Sequence, residues 1–489
     1  MKKLISIFIA LLSLFFGMSV TSAFYQLTIF PRTGYSWVGD PMPYYDGNKF
    51  QVFYLEDLRD GDVGFHPWSL FTTNNFYDYK NEGVVIRYSQ NEFAQDSALG
   101  TGSVMQEKDG LYHAFYTGFN WRKVPKEAIM HAISKDLINW IKIPGDKFFA
   151  SAKYLRNDFR DPYVFYNDDY KEYWMLITTR TKNDKGVIAL YTSKDLKNWA
   201  DNGVFFDNDM GNSANMECPT LIKYGEYWYL TFSDQWPNRV VHYRIAKDSK
   251  GPFTKPQLDF FDSNGFYAGK LVKDSQNLYL CGWTPTKGGH SDNNKTDWAG
   301  NLVVHQIKQR ENGELYPTPV EQVVENLNNN IKLKPITQTE TVTASNEKYT
   351  FSAKGYEVVT FPKIQGVNKI TGKITKKSKE GMFGFMFNVG EYDIASLNIA
   401  FNPKSKEVKF FNVSTDKIAT AKSELTVPLD VNDNESLNFT LLIDDSVAVL
   451  YINDKVALST RMYALQNHQW GIFSINSDVT YEDLNLSKF

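Results

Sequence analysis

Cysteine is nearly absent from the 489-residue chain, which contains only Cys218 and Cys281. Two cysteines cannot form the disulfide framework of a small secreted domain, and both lie in apolar surroundings, so we expect free thiols. The seven histidines show no metal-ligand spacing, no glycine-rich loop resembles a phosphate cradle, and no serine–histidine–aspartate triad can be picked out. The sequence therefore predicts no metal site and no cofactor.

Basic clusters are missing as well, and the formal net charge is −3. This mild acidity argues against nucleic acid and anionic membranes as partners. Aromatic residues make up 15% of the chain, and the apolar faces of sugar rings pack well on aromatic side chains. This composition suits a neutral polar ligand such as a sugar, while the oligomeric state stays open.

One apolar run stands out, at residues 4–18, after Lys2 and Lys3 and before small residues that end at Ala23. A basic start, an apolar centre and a small-residue exit predict a secretory signal peptide over residues 1–23. The run is short for a membrane span, and a single N-terminal anchor is the alternative. The expected mature chain starts near Phe24, carries no membrane anchor and is secreted or periplasmic in a bacterium.

Long helical periodicity is absent between about residues 37 and 325, where short aromatic and β-branched runs alternate with turn residues. Residues 112–140 and 173–199 repeat each other and both end in Ser-Lys-Asp-Leu-x-x-Trp, and weaker copies start near Phe50, Tyr227 and Leu278. Such a recurring unit is typical of propeller blades. The sequence thus predicts an all-β chain with a five-bladed β-propeller over residues 24–325; coincidental repeats in a β-sandwich are the alternative.

The character of the chain changes towards its C-terminus. Residues 320–325 favour one or two helical turns, and residues 326–337 are predicted to be a linker. Beyond that, tryptophan nearly disappears and alternating strands at residues 438–443 and 447–452 flank Asp444 and Asp445. This composition predicts a C-terminal β-sandwich over residues 338–489 with a structural or accessory role.

Three acidic residues, Asp40, Asp161 and Glu217, stand where innermost propeller strands are predicted to start. A proline follows each of them within two residues, which blocks a helix and fixes the entry of the chain into the strand. Innermost strands of a propeller line a central funnel and run in one direction, so equivalent positions converge at one mouth. Each motif alone is better explained by a turn, but the ordered set predicts one acidic site.

Converging carboxylates suit glycoside hydrolysis. One carboxylate attacks the anomeric carbon, while a second, protonated carboxyl group gives its proton to the departing oxygen; retaining enzymes hold the two about 5 Å apart. Burial and mutual repulsion raise the pKa of the acid and keep it protonated. A third carboxylate can bind sugar hydroxyls beside the developing positive charge. We therefore expect Asp40, Asp161 and Glu217 to be catalytic.

The ordered motifs resemble those of glycoside hydrolase family 32, which contains invertases, levanases, inulinases and other β-fructofuranosidases. The resemblance covers essentially the whole mature chain. It implies a retaining enzyme that cleaves terminal β-fructofuranosyl residues from fructans or fructo-oligosaccharides by double displacement. The segments that carry it are Trp37-Val38-Gly39-Asp40-Pro41, Phe159-Arg160-Asp161-Pro162, Met216-Glu217-Cys218-Pro219, Asp262-Ser263-Asn264-Gly265-Phe266-Tyr267-Ala268, Gly282-Trp283 and Trp298-Ala299-Gly300.

Roles follow from the resemblance position by position. It implies that Asp40 is the nucleophile, Glu217 the general acid/base and Asp161 the stabiliser that binds the fructose hydroxyls. Four further residues are implied to bind substrate, and a structural role is the alternative for each of them. These four are Arg160, Ser103, Trp68 and Trp298.

The first motif departs from the family pattern. The family normally has asparagine before the aspartate and asparagine-glycine after the proline, where this chain has Gly39, Met42 and Pro43. In the sandwich, the usual glutamate of the hairpin is Val449. These changes affect which substrate we expect, and sucrose in particular, more than they affect the expected reaction class. Two alternatives stay open: an inverting arabinosidase or xylosidase on the same propeller, and a non-catalytic carbohydrate-binding propeller protein.

Overall fold

The structure, a computed structural model, describes residues 25–58, 66–235, 238–430, 432 and 434–489. The predicted signal peptide, residues 1–23, lies outside the described residues. Nearly all regular structure is β, which confirms the predicted all-β class. One short α-helix, Glu321–Asn326, forms where helical turns were expected. Within the described ranges, no helix is long and apolar enough to cross a membrane.

The N-terminal part of the chain forms successive antiparallel meanders. Its strands are β1 (Tyr25–Leu27), β2 (Trp37–Tyr45), β3 (Phe50–Asp57), β4 (Trp68–Thr73), β5 (Asp78–Ile86), β6 (Ala98–Gln106), β7 (Tyr112–Phe119), β8 (Glu127–Ser134), β9 (Trp140–Lys142), β10 (Tyr154–Asn167), β11 (Glu172–Thr181), β12 (Gly186–Ser193), β13 (Ala200–Asp207), β14 (Met216–Tyr224), β15 (Tyr227–Asp234), β16 (Val241–Ala246), β17 (Tyr267–Lys273), β18 (Leu278–Lys287), β19 (Thr296–Gln309) and β20 (Leu315–Thr318).

The first strand of each meander lines the centre of this part. Strands β2, β6, β10, β14 and β17 contact one another in that cyclic order, and β17 returns to β2, so the ring is closed. A bridge pair between Val38 and Gly300 joins the first and last meanders, β2–β5 and β17–β20. A closed ring of this kind makes a funnel into which side chains from distant segments can point.

Each ring strand carries a β-bulge at an equivalent place, with two residues left out of the pairing register. The first of these two residues has a positive φ in four of the five strands: 38° at Asp40, 57° at Asp161, 54° at Cys218 and 52° at Ala268. Bulges bend a strand and re-aim its side chains.

The bulges correct one prediction. The three acids do not stand at strand starts, because β2, β10 and β14 begin earlier; Asp40 and Asp161 lie inside bulges, and Glu217 lies directly before one. In each case the following proline is the second bulge residue. Proline has no N–H to give to a ladder, so this unpaired position tolerates it.

The C-terminal part consists of two antiparallel sheets with a shared apolar core between them, as expected for a β-sandwich. One sheet contains β21 (Asn329–Ile331), β22 (Thr343–Ser345), β23 (Lys348–Ser352), β25 (Asn368–Lys376), β30 (Ser436–Asp444), β31 (Val447–Ile452), β32 (Val456–Arg461) and β34 (Asp478–Lys488). The other contains β24 (Tyr356–Phe361), β26 (Met382–Val389), β27 (Ala395–Asn402), β28 (Glu407–Phe411), β29 (Leu425–Pro428) and β33 (Gln469–Ile475). Within the predicted linker, β21 pairs with the last strand, β34.

The two parts of the chain share an apolar interface. Val447, Val449 and Tyr451 of strand β31 belong to the same buried cluster as Tyr54 and Leu302 of the meanders. Val449, the position where the family usually has glutamate, is completely buried there. A charge at that site would lose its hydration without a partner, so the valine fits an interface that is apolar in this chain.

Candidate active site

A cavity of about 540 Å³ opens at one mouth of the ring. Its lining comes from the ring strands β2, β6, β10, β14 and β17, from the further strands β3, β7, β8 and β19, and from connecting segments. The cavity is lined by Asp40, Leu55, His66, Ala98, Leu99, Gly100, Thr101, Thr117, Phe119, Glu127, Arg160, Asp161, Glu217, Gln235, Arg239, Tyr267, Thr296, Asp297 and Trp298. All three predicted catalytic carboxylates therefore face one space.

The Asp40 carboxylate is held at both oxygens. Thr101 Oγ1 donates to Oδ2 at 2.7 Å and the Trp283 indole N–H donates to Oδ1 at 3.1 Å. Burial raises the pKa of Asp40 above its ordinary value, the Thr101 hydrogen bond opposes this, and the charge of Glu217 raises it further. Two fixed donors therefore orient the carboxylate at the edge of the cavity.

Asp161 is the most buried of the three acids, with 5% of its surface exposed. Its Oδ2 accepts the backbone N–H of Cys218 at 2.9 Å, and its own N–H donates to Thr117 Oγ1 at 2.9 Å. Burial raises the pKa of Asp161 to about 6; Arg160 opposes this rise, while Glu217 and Asp40 add to it. The bulge on β14 thus supplies the donor that fixes a carboxylate of β10.

Glu217 lies between a cation and a phenol. Arg160 Nη2 contacts Oε1 at 2.9 Å, and the Tyr267 hydroxyl donates to Oε2 at 2.7 Å. The guanidinium of Arg239 in turn stacks over the Tyr267 ring, 4.7 Å from its centroid. Both oxygens of this carboxyl group are therefore positioned by side chains of neighbouring strands.

Arg160 is shared among carboxylates. Besides Glu217, its Nη1 contacts Asp158 at 3.0 Å and Glu127 at 3.4 Å. Glu127 also accepts the N–H of Phe159 at 2.6 Å, and burial raises the pKa of Glu127 against the opposing charge of Arg160. A planar guanidinium suits such fixed, forked contacts.

Trp298 forms an apolar wall of the cavity. Its six-membered ring lies against the Cα of Gly39, since a Cβ there would be only 2.3 Å from Cη2. The His66 ring lies 4.6 Å from the Trp298 ring on the cavity side. The position of the indole therefore leaves room only for glycine at residue 39, and the cavity wall next to that residue is aromatic.

Two of the predicted substrate-binding residues do not line the cavity. The Ser103 hydroxyl donates to the carbonyl of Pro162 at 2.9 Å and accepts the N–H of Val164 at 2.8 Å, so it bridges two ring strands across a bulge. Trp68 is completely buried, and its indole N–H donates to the Gly100 carbonyl at 2.9 Å. Both residues support the site from behind. Arg160 and Trp298, by contrast, line the cavity, and substrate contact stays a prediction for all four residues.

Several residues of the site carried no signal in the sequence. Glu127 and Arg239 lie on or near outer strands, outside any acid–proline motif, and only the fold brings them to the cavity. Tyr267 and Trp283 belong to segments that carry the family resemblance, and their hydrogen bonds to Glu217 and Asp40 could have been sought there.

The site contains no recognisable metal centre in the part of the chain that the structure describes: no three histidine, cysteine or acidic side chains are grouped to hold an ion. Cys218 and Cys281 are both free and buried, which confirms the prediction of free thiols. Behind the carboxylates, the buried Lys270 ammonium donates to the Gly102 carbonyl at 2.8 Å. Burial lowers the pKa of Lys270, but Asp161 and Asp40 counteract this, so its charge partly offsets theirs.

Comparison with known proteins gives two family matches. Residues 31–319 match the glycosyl hydrolases family 32 N-terminal domain, and residues 320–486 match the GH32, BT1760-like, C-terminal domain. Sucrose-6-phosphate hydrolase of Escherichia coli is 24% identical over 311 residues, which are 58% of this chain and 62% of that protein, so less than two thirds of its length is spanned. Raffinose invertase of Escherichia coli is 22% identical over 478 residues, 92% of each chain.

Solved structures show the same fold at low identity. The structure of sucrose-6-phosphate hydrolase from Lactobacillus gasseri has a TM-score of 0.71 and 20% identity, and the match covers 96% of this chain and 94% of that one. Exo-inulinase from Aspergillus awamori has a TM-score of 0.72 and 14% identity, with 95% and 98% covered.

Proposed function

The chain belongs to glycoside hydrolase family 32, and from this premise we propose that it is a retaining β-fructosidase that releases terminal fructose from fructans or fructo-oligosaccharides. The observation that carries the proposal is the convergence of Asp40, Asp161 and Glu217 on one cavity. Each comes from a different ring strand, and each is oriented by donors from neighbouring strands.

Double displacement assigns a step to each carboxyl group. Asp40 attacks the anomeric carbon of the fructosyl unit while Glu217 gives its proton to the departing glycosidic oxygen, so a covalent fructosyl–enzyme forms and the leaving sugar departs neutral. Glu217, now a carboxylate, takes a proton from water, and the resulting hydroxide attacks the same carbon. The ester bond to Asp40 breaks, and fructose leaves with its configuration retained.

Asp161 acts between these steps by electrostatics. One of its oxygens is occupied by the Cys218 N–H, which leaves the other for the fructose hydroxyls. Its negative charge stabilises the positive charge that develops on the sugar ring in both transition states. Arg160 keeps Glu217 in place and helps Asp161 to remain ionised despite its burial.

The aromatic wall bears on the choice of substrate. Trp298 and His66 offer ring faces rather than amide groups beside the nucleophile, and the apolar faces of sugar rings pack on such surfaces. The predicted signal peptide places the enzyme in the periplasm or outside the cell, where polymeric fructans are accessible. These two features support fructan or fructo-oligosaccharide over sucrose.

The same proposal includes the finer architecture. The closed ring of five bulged strands and the five meanders support a five-bladed β-propeller over residues 24–325. A connector over residues 326–337 and a β-sandwich over residues 338–489 complete the chain.

The test is a product screen of the purified enzyme and its Asp40→Ala variant against sucrose, inulin, levan and short fructo-oligosaccharides. We expect free fructose from at least one of them, and a loss of about 10³-fold or more in kcat for the variant, because nothing else can form the covalent intermediate. Unchanged hydrolysis of every active fructoside by Asp40→Ala would refute the mechanism.

Two alternatives give different outcomes in the same experiment. An inverting arabinosidase or xylosidase would release pentose from arabinosides or xylosides with inverted configuration, which NMR of the first product detects. A carbohydrate-binding protein would bind the oligosaccharides without turnover, and a slow fructosyl fluoride would not label Asp40.

A further inference from the structure

The loop that closes the hairpin between β18 and β19, residues 288–295, is held by the C-terminal sandwich. The Asp292 carboxylate accepts the backbone N–H of Tyr463 at 2.8 Å and that of Ala464 at 2.9 Å, one on each oxygen. The side-chain amide of Asn412 donates to the Asp292 carbonyl at 2.5 Å. Residue 292 is thus tied to the sandwich by both its side chain and its backbone.

The base of the same hairpin is tied a second time. Lys287 Nζ contacts Glu424 of the sandwich at 2.7 Å and also donates to the Asp292 carbonyl at 2.9 Å. The Lys287 N–H donates to the Tyr463 hydroxyl at 3.0 Å. Only 4% of the Lys287 surface is exposed, while the Glu424 side chain lies at the surface, so the contact fixes the base of the hairpin from its buried end.

The loop between these anchors is closed by its own hydrogen bonds. The Gly288 N–H donates to the Lys295 carbonyl at 3.0 Å, and the Asn294 amide donates to the Gly288 carbonyl at 2.7 Å. Lys287 pairs with Thr296 in the sheet, and Trp298 follows two residues later. The anchors therefore fix the backbone from which the aromatic wall of the cavity projects.

We infer that Asp292 is a positioning residue for substrate binding: the C-terminal sandwich, through Asp292, holds the hairpin that places Trp298 in the cavity wall. The inference rests on the proposed function for its kinetic effect, though not for its structural one. The sandwich then contributes to recognition of the sugar, which goes beyond the accessory role expected from the sequence.

The matched control lies elsewhere in the same interface. Asp444 of the sandwich also accepts backbone N–H groups across the two parts, from Ile29 at 2.9 Å and Phe30 at 3.3 Å. Neither partner lines the cavity. Asp292→Ala and Asp444→Ala therefore each remove carboxylate contacts across the interface, and Asp444 also loses the Thr28 hydroxyl. The segment that Asp444 holds contacts β19 at Asn301 and Leu302, beyond Trp298, whereas Asp292 holds the hairpin loop that precedes Trp298.

The experiment measures both variants in two ways. In steady-state kinetics on the best fructoside, we expect Asp292→Ala to raise KM about tenfold with kcat within about twofold, and Asp444→Ala to leave KM unchanged. In protein labelled with 5-fluorotryptophan, we expect the ¹⁹F resonance of Trp298, assigned with Trp298→Phe, to shift in Asp292→Ala and to stay in place in Asp444→Ala. Should Asp292→Ala not fold, Asp292→Asn takes its place with a smaller change in the same direction, because the amide can accept only one of the two N–H groups.

The outcomes separate the inference from the proposed function. A Trp298 resonance that does not respond to either Asp292 variant, or a KM that rises equally in Asp444→Ala, overturns the inference. If the Trp298 resonance shifts in Asp292→Ala but KM does not change, the part of the inference that concerns sugar binding is overturned. If the wild type hydrolyses no fructoside, the proposed function is refuted instead. The ¹⁹F measurement then still decides whether Asp292 positions Trp298.

Discussion

Gly39 and Trp298 occupy adjoining space so closely that residue 39 has no room for a side chain. A Cβ at this position would lie 2.3, 2.6 and 2.9 Å from three carbons of the six-membered indole ring. Such distances are far below van der Waals contact, so any larger residue at position 39 must move the indole. A side chain such as the family's usual asparagine therefore cannot fit at position 39 beside the indole as it lies in this chain.

Gly39→Ala should lower kcat/KM on the best fructoside by about tenfold or more, because the displaced indole narrows the cavity next to Asp40. Shortening the indole should restore part of the activity: in Gly39→Ala with Trp298→Phe, the smaller ring no longer reaches the new methyl group. A double-mutant cycle measures this coupling, which we expect at about 1 kcal/mol or more. Additive effects of the two substitutions would contradict the shared-space explanation.

Tyr267→Phe should reduce kcat about 10- to 100-fold with a smaller effect on KM. The substitution keeps the ring under Arg239 and removes only the hydroxyl that donates to Glu217 at 2.7 Å. A hydrogen bond to a charged group contributes about 1.5–3 kcal/mol, and this one orients the general acid/base. Tyr229→Phe is the control, since it deletes a hydroxyl bonded to the Gly313 carbonyl away from the cavity; its kcat should not change.

Asp161→Asn should stabilise the protein at neutral pH while it lowers activity. Burial raises the pKa of Asp161 to about 6 from 3.8. The contribution of the protonated carboxyl group to folding stability is therefore complete only below pH 3.8 and is lost as the pH rises through 6. The amide is never charged and can still accept the Cys218 N–H. Chemical denaturation should show a gain of about 1–3 kcal/mol at pH 7 that disappears near pH 4. A variant less stable than the wild type at pH 7 would contradict this.

The sequence indicates which residues meet, but not how they are held. Asp40, Asp161 and Glu217 were predictable because a proline follows each of them within two residues and each belongs to a different predicted blade. The bulges were not, since a run of β-formers looks the same with or without an extra pair of residues. Aspartate tolerates a positive φ better than most residues, which is the one local hint at positions 40 and 161.

Ser103 and Trp68 were predicted to bind substrate but do not line the cavity, and one physical reason applies to both. Serine and tryptophan look the same in the sequence whether their polar atoms face a ligand or a neighbouring strand. The Ser103 hydroxyl and the Trp68 N–H are both consumed by backbone groups of ring strands. Glu127 was not predicted, because a single acid at the start of β8 lies in no recognisable motif. Only the fold shows that Arg160 of the next meander contacts it.

Two buried histidine sites should respond to pH with opposite signs. His113 Nδ1 and His131 Nε2 share a hydrogen bond of 2.9 Å, and burial lowers the pKa of both below 6.5 in spite of nearby Glu107 and Asp146. The folded chain keeps this pair neutral, so its contribution to stability is lost as the pH falls below 6.5, where the unfolded chain binds protons. His242 differs: burial acts to lower its pKa, but Asp234 and Asp259 at its two ring nitrogens raise it above 6.5.

The contribution of His242 is therefore complete below pH 6.5 and is lost as the pH rises through its higher folded-state pKa. Denaturant titration from pH 5 to 8 measures the free energy of unfolding of the wild type, His113→Gln and His242→Gln. The stability deficit of each variant is its difference from the wild type at the same pH. The deficit of His113→Gln should shrink towards pH 5, whereas the deficit of His242→Gln should shrink towards pH 8. If the stability deficit changes with pH in the same direction in both variants, the opposite pKa shifts of His113 and His242 are contradicted.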